Sequence, residues 1–310
     1  VTLTFRRPDD LRDALPLLLE QVESVPRAEL LVVDNDEEPT ARAVVEEYAG
    51  RPVRYVHEPR PGIAAARNRG LDEAAGSEVV VFVDDDERPC EDWLRTLLAT
   101  FRKTGCTGVV GPVLSVFDGP VDPWIVAGGY FTRLRHPTGT VVRVAATNNL
   151  LLDARAVRTW GLRFDEQFGL SGGSDTVFAL ELAARGGRLV WSDEAAVLDV
   201  VPPSRATRSW VVRRAFRMGN TGSRAAVHVR RSVVARTGVR LTTAARGLVR
   251  VLGGGARWGW GCVARDLRSQ ARGARTAVRG AGMLLGAFGY VYAEYARTSA
   301  PARRLLRTGS

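Results

Sequence analysis

The stretch EVVVFVDDDERPCEDW, residues 78–93, decides how this chain folds. Five apolar residues, 79–83, read as a strand covered on both faces, as in a parallel sheet sandwiched between helices. Asp84, Asp85, Asp86 and Glu87 follow without a break. Four carboxylates at the mouth of a buried strand repel one another unless positive charge sits among them. Hard oxygen ligands in that position suit Mg²⁺ or Mn²⁺, and Mg²⁺ is commonly held by one or two carboxylates plus substrate phosphates. The acids are contiguous, so this is not an EF-hand loop. Glu87, outside the D-x-D, reads as a bystander or a cap for a helix starting near Glu91.

Upstream, strands and helices alternate. VTLTF (1–5), ELLVVD (29–34) and VRYVHE (53–58) are short apolar runs; between them lie an amphipathic segment from Asp9 to Ser24 and a polar one from Glu37 to Tyr48. A Pro-Gly turn at 61–62 opens a helix running to about Ala75. This alternation predicts βαβ units and a parallel sheet with helices on both faces. Ligands of such sheets lie beyond the carboxyl ends of the strands, so Asp34 and 84–86 are expected on one edge. The amides at the start of PGIAAARNRG (61–70) are expected to favour an anion. Arg67 lies in its first turns, facing that edge or pairing Glu58.

Downstream, 107–117 and 141–152 read as strands joined by a long Pro/Gly-rich loop, and 153–160 as a short helix. In FDEQFGLSGGSD (164–175), Gly172 and Gly173 let backbone approach a ligand closely. Asp175 heads the next helix, as an N-cap or as a catalytic base. Asp199, in AAVLDVV, is a surface acid at a strand edge or a third ligand. Pro202 and Pro203 mark a boundary between an α/β domain of 1–203, with halves meeting at about 105–106 that would be the donor and acceptor halves of a catalytic domain on the resemblance given below, and a basic amphipathic helical region of 204–310.

The net charge of +10 is split: residues 205–310 hold 22 arginines and two acids, leaving 22 basic and 32 acidic residues in 1–204. Such asymmetry points to an anionic partner, nucleic acid or a membrane surface, unless it is a solvated helical face. The uncharged run 280–293 is too short to span a bilayer comfortably. Basic faces with scattered Trp and Tyr suit helices lying in a membrane interface, or else a cap on the catalytic domain or a dimer surface. No nucleic-acid recognition module is visible, and the apolar content is high for a nucleic-acid arm, so no nucleic-acid partner is expected. Three scattered cysteines fit a reducing compartment. No G-x-G-x-x-G follows the first strand, which argues against a dinucleotide enzyme, and no G-x-S-x-G suggests a hydrolase.

Taken in order, TFRRPDDLRDALPLLLEQ, LLVVDND, GIAAARNRGLDEA, VVVFVDDDERP and GGSDTVFALELAARGG resemble a family 2 glycosyltransferase of the GT-A fold, over roughly residues 1–220. The resemblance implies a Rossmann-like mixed α/β sheet, a nucleotide-sugar donor with UDP favoured, Mn²⁺ or Mg²⁺ held through D-x-D, and inversion at the anomeric carbon. On that pattern Thr4 and Phe5 line the base and ribose pocket, Asp34 reads the base, and Arg67 lies at the base and phosphate end. Asp86 contacts the metal, with Asp84 shared between metal and ribose and Asp85 on the donor. Asp175 is the base, while Gly172, Gly173, Ser174, Trp124 and Asn149 meet donor sugar or acceptor. Ser174 stands where the family commonly has Glu, and Asp199 where many members carry His or Glu. Arg213, Arg214 and Arg217 hold the donor diphosphate, a lipid phosphate or a membrane-facing patch. The Gln-x-x-Arg-Trp motif of processive synthases is absent, which implies single addition to a glycan, a lipid-linked or a small hydrophobic acceptor. The expected place is the cytoplasmic membrane face, peripherally bound, with homodimerisation open. A sugar-phosphate nucleotidyltransferase could use the same half-fold, but its glycine-rich loop is missing after VTLTF.

Overall fold

The computed structural model describes residues 1–292. The strands β1 (Thr2–Thr4), β2 (Leu30–Asp34), β3 (Val53–His57) and β4 (Val79–Asp84) run parallel. Between them lie helices α1 (Pro8–Glu23), α2 (Arg42–Glu46) and α3 (Ile63–Glu73). Alternation along β4 explains why an unbroken apolar run was needed. Val80 and Phe82 join the core under α3, whereas Val79, Val81 and Val83 meet the core under α1. Burying both faces of a strand leaves no position for a polar residue until the strand ends.

Beyond β4 come the short strand β5 (Glu87–Pro89), helix α4 (Trp93–Thr104), and strands β6 (Gly108–Val110) and β7 (Val113–Phe117). Helix α5 (Pro123–Gly128), strands β8 (Val141–Val142) and β9 (Asn149–Asp153), and helices α6 (Ala154–Thr159) and α7 (Ser174–Ala184) follow. Strands β10 (Leu189–Trp191) and β11 (Val197–Val201) complete the set. The eight-stranded sheet is ordered β3-β2-β1-β4-β9-β6-β10-β8, with β9 antiparallel to both neighbours. A second sheet is ordered β5-β11-β7.

Two expectations change here. The run 107–117 is not one strand: it leaves the large sheet at Gly111 and enters the small one at Val113. A Cβ on Gly111 would lie 2.1 Å from the Ala195 carbonyl oxygen, so only glycine permits the crossing. The loop 118–140 also carries a helix, α5, capped by the Asp122 side chain with Pro123 at its first position.

Three helices end the described chain: α8 (Arg208–His228), α9 (Val233–Val263) and α10 (Leu267–Ala287). Trp124, Ile125 and Tyr130 bury themselves against Val211 and Ala215 of α8 and Ala271 of α10, which fastens this layer to the catalytic body. α9 lies on α10 backbone to backbone: a Cβ at Gly254 would stand 2.4 Å from the Ala277 nitrogen. Among the described residues, no helix is long and apolar enough to cross a membrane. The last residue of the uncharged run, Ala293, lies outside the described residues.

Candidate active site

The carboxyl ends of β1, β2 and β4 form one edge, as parallel topology dictates, but the acids on it differ in what they face. Asp34 is fully buried. It accepts from the Asp36 N–H, the Ala41 N–H at 2.9 Å and the Tyr55 hydroxyl at 2.9 Å. Its carboxylate therefore anchors the turn after β2, and the base-reading role expected for it is not supported. Asp36, two residues on, has one buried oxygen that makes no hydrogen bond but ion-pairs Arg6 at 3.6 Å, whose guanidinium lies over the Phe5 ring.

The positive charge that the acidic run demanded is arginine, drawn from distant segments. Arg7, just past β1, reaches Asp86 at 3.0 Å and Asp85 at 3.5 Å. Arg205, just past β11, reaches the same Asp86 oxygen at 2.9 Å. These arginines do not neutralise everything. Burial, then repulsion from Asp86, pushes the Asp84 carboxyl up to about 6, with Arg67 and Arg7 opposing. Burial pushes Asp85 up to about 7 against the pull of Arg7. The buried Thr4 hydroxyl stands beside Asp85 and pulls its carboxyl down, although neither it nor the second Asp85 oxygen makes a well-formed hydrogen bond.

Glu87 is no surface cap. It is buried in β5, opposite Asp199 of β11 in register, and accepts from the Asn148 amide at 2.8 Å. Its second oxygen is orphaned, and burial followed by repulsion from Asp84 raises its carboxyl well above the ordinary range. Helix α4 instead begins after Asp92. Asp199 is likewise not at an edge: β11 is the middle strand of the small sheet, and Asp199 ion-pairs Arg133.

Arg67 is buried, donates to the Ser174 hydroxyl at 2.8 Å, lies over the Phe164 ring, and acts on Asp84 electrostatically. It does not pair Glu58, which binds Arg60. Through Ser174, the arginine ties α3 to the first turn of α7. Asp175 is the next residue and is close enough to Asp84 to act on it electrostatically. The N-cap of α7 is Gly173, at φ 99°, so Asp175 is not the cap. One Asp175 oxygen accepts from the Thr176 N–H. A Cβ at Gly173 would strike the Thr221 methyl of α8 at 2.3 Å, so this glycine also admits the helical layer.

Other expected positions lie elsewhere. The start of α3 is not an open anion site, because the Ile63 N–H donates to the Gly169 carbonyl. Trp124 is buried, stacked on Tyr130 under the Arg208 guanidinium in the seam with the helical layer. The Asn149 side chain is 1 % exposed and spends every polar group internally. It accepts from the Trp93 indole and donates to the Pro112 and Ala195 carbonyls. Neither can meet a sugar. Arg213 is exposed on α8, while Arg214 lies over Phe131 and Trp210. Burial, then Arg133 and Arg217, lowers Arg214 to about 10, with Asp199 opposing. Arg7, Arg133 and Arg205 were missed: Arg7 lies just past β1, on this edge, but Arg133 and Arg205 come from other segments and carry no signal in the sequence.

Among the described residues, no three His, Cys, Asp or Glu side chains gather as a metal site. The fit to a divalent ion rests on fewer ligands: the carboxylates of Asp84, Asp85 and Asp86 at one strand end, with one Asp85 oxygen making no well-formed hydrogen bond.

Comparison with known proteins gives the family. Residues 1–161 match the family described as glycosyl transferase family 2. The succinoglycan biosynthesis protein ExoM of Rhizobium meliloti is 39 % identical over 227 residues, covering 71 % of this chain and 72 % of that protein. A pre-mycofactocin glycosyltransferase of Mycobacterium tuberculosis is 29 % identical over 57 % of this chain and 38 % of its own. Among solved structures, the mannosyltransferase PcManGT of Pyrobaculum calidifontis, with GDP-Man and Mn²⁺, superposes with TM-score 0.58 at 18 % identity, covering 90 % of this chain and 85 % of that one. S. aureus TarS residues 1–349 with UDP superposes with TM-score 0.52 at 15 % identity, covering 90 % of each chain. These two show the fold alone, a GT-A mixed sheet flanked by helices. Fold, family match and close relative together establish that the chain belongs to glycosyl transferase family 2.

Proposed function

We propose that this glycosyltransferase moves a sugar from a nucleotide-sugar donor, UDP-linked in preference, to one hydroxyl of a glycan or lipid-linked acceptor, with inversion and a divalent metal. The observation that carries the reading is that Arg67, which acts on Asp84, donates to Ser174 at 2.8 Å and so holds the start of α7, where Asp175 stands, near the acidic strand end. On this reading Asp84 is the donor-side acid and Asp175, which acts on it electrostatically, the acceptor-side acid. The relative named for succinoglycan biosynthesis supports a glycan-building role.

In this scheme the oxygen of Asp175 not bound to Thr176 takes the acceptor's proton as its oxygen bonds to the anomeric carbon. The bond from that carbon to the diphosphate breaks on the opposite face, and its electron pair leaves with the diphosphate. Asp84, Asp85 and Asp86 would hold Mn²⁺ or Mg²⁺, which offsets charge on the departing phosphates. Arg67 fixes the start of α7 and hence Asp175. Arg7 and Arg205 hold Asp86 until the donor arrives. Thr4 and Phe5 line the base side.

The test is incubation with Mn²⁺ and a panel of nucleotide sugars, following nucleotide diphosphate release. Asp175→Asn is expected to lower turnover at least 10³-fold with donor binding intact, and Asp86→Ala to lose metal-dependent donor binding. Near-normal turnover in Asp175→Asn would sink the base assignment. Failure to bind any nucleotide sugar with metal would sink the donor reading.

A further inference from the structure

The helical layer carries a second surface that glycosyl transfer does not use. α9 is 31 residues long, roughly 46 Å at 1.5 Å per residue. It rests on α10 through Gly247, Gly254 and Gly261. Its outward face is apolar along its length. Val234, Leu241, Leu248, Leu252 and Val263 recur at helical spacing, and Leu252 and Val263 are 64 % and 81 % exposed. Trp260, 67 % exposed, borders this face. An aromatic residue of that kind belongs at a lipid–water boundary.

Arg246, Arg250 and Arg257 line one flank of the helix beside the apolar face, at spacings of four and seven residues. Arg250 and Arg257 then join Arg272, Arg275 and Arg279 of α10 around a cleft of about 320 Å³ floored by the Gly128–Gly129 turn. Arg275 holds that floor by donating to the Gly128 and Gly129 carbonyls, at 3.1 and 2.6 Å. Among the described residues, none of the five arginines forms an ion pair; Asp266, the cap of α10, is the acid within electrostatic reach of Arg257. Five guanidiniums that form no ion pair among the described residues, beside a bare apolar face, match anionic headgroups overlying acyl chains.

We infer that α9 lies in the interface of an anionic phospholipid bilayer, its Leu241–Leu248–Leu252 face among the acyl chains and lipid phosphates in the arginine cleft between α9 and α10. The catalytic body hangs from this helix through α10 and α5. The inference does not depend on the glycosyl-transfer reading, because its readout is lipid binding.

The experiment is flotation of the full chain with vesicles of phosphatidylcholine alone and with about a third phosphatidylglycerol. Binding is expected to anionic vesicles, at least tenfold tighter than to neutral ones, and to weaken with salt. An arginine at an anionic surface is worth roughly fivefold in partitioning, so Arg250→Ala/Arg257→Ala should weaken binding on the order of twentyfold. Leu248→Asp/Leu252→Asp should abolish it while leaving the melting temperature and nucleotide-sugar binding unchanged, since both leucines face solvent. Three results overturn the inference. The first is no binding to anionic vesicles. The second is a dimer without lipid that the leucine variant splits, making the face a contact between copies. The third is tight binding of single-stranded nucleic acid that the arginine variant removes while vesicles go unbound.

Discussion

Asp84 and Asp85 hold protons that the unfolded chain would release, since burial raises their carboxyls to about 6 and about 7 from an ordinary 3.8. The folded state therefore binds more protons than the unfolded one between those values. Their favourable contribution is complete below about pH 4 and is lost as pH rises through 6 and 7. With chelator present, the melting temperature should fall from pH 5 to pH 8, and Asp85→Asn should flatten that slope. Cation binding must displace the same protons, so Mn²⁺ affinity should climb across the same window, read by calorimetry in two buffers of different ionisation enthalpy. The acids were legible in the sequence because strand ends are. Their counter-charges were not: Arg7, Arg133 and Arg205 are three among more than forty basic residues, and only the fold selects them.

At the scale of elements, β2 and β4 follow from their unbroken apolar runs, each ending on its first polar residue, Asp34 and Asp84, while β1 and β3 follow from their place in the strand–helix alternation. The small sheet did not follow. Its strands belong to runs that look continuous, and the break at Gly111 depends on how closely the Ala195 carbonyl approaches. α5 carried its own signal, an Asp before Pro at the helix start, hidden inside a span rich in Pro and Gly. The α9–α10 contact makes a prediction of this scale. Gly254→Val would force side-chain carbon into the Ala277 backbone, and overpacking of this sort costs about 1–3 kcal/mol. Circular dichroism melts should show the loss, with the 1–203 part unfolding at its former temperature if the layer melts separately.

Across the whole molecule, Arg205 links the start of the helical region to Asp86 of the acidic run. Arg205→Ala removes that tie without touching the apolar seam at Trp124 and Ile125. It should lower the melting temperature by only a few degrees and tighten Mn²⁺ binding, since Asp86 loses one of two competing cations. Removal of 208–292 should be far more damaging, uncovering Trp124, Ile125 and Tyr130 and producing aggregation visible by light scattering. Asn149 carries a different consequence. Its side chain grips the points where β6 passes into β7 and where β10 passes into β11, while the Trp93 indole holds it from α4. These segments are far apart along the chain, so their capture is an event of high contact order, completed after the local βαβ units have formed. Once made, it leaves no way for the small sheet to open alone. Amide protons of β6, β10 and β11 should exchange as one cooperative unit with a single free energy, and Asn149→Ala should split that unit in two.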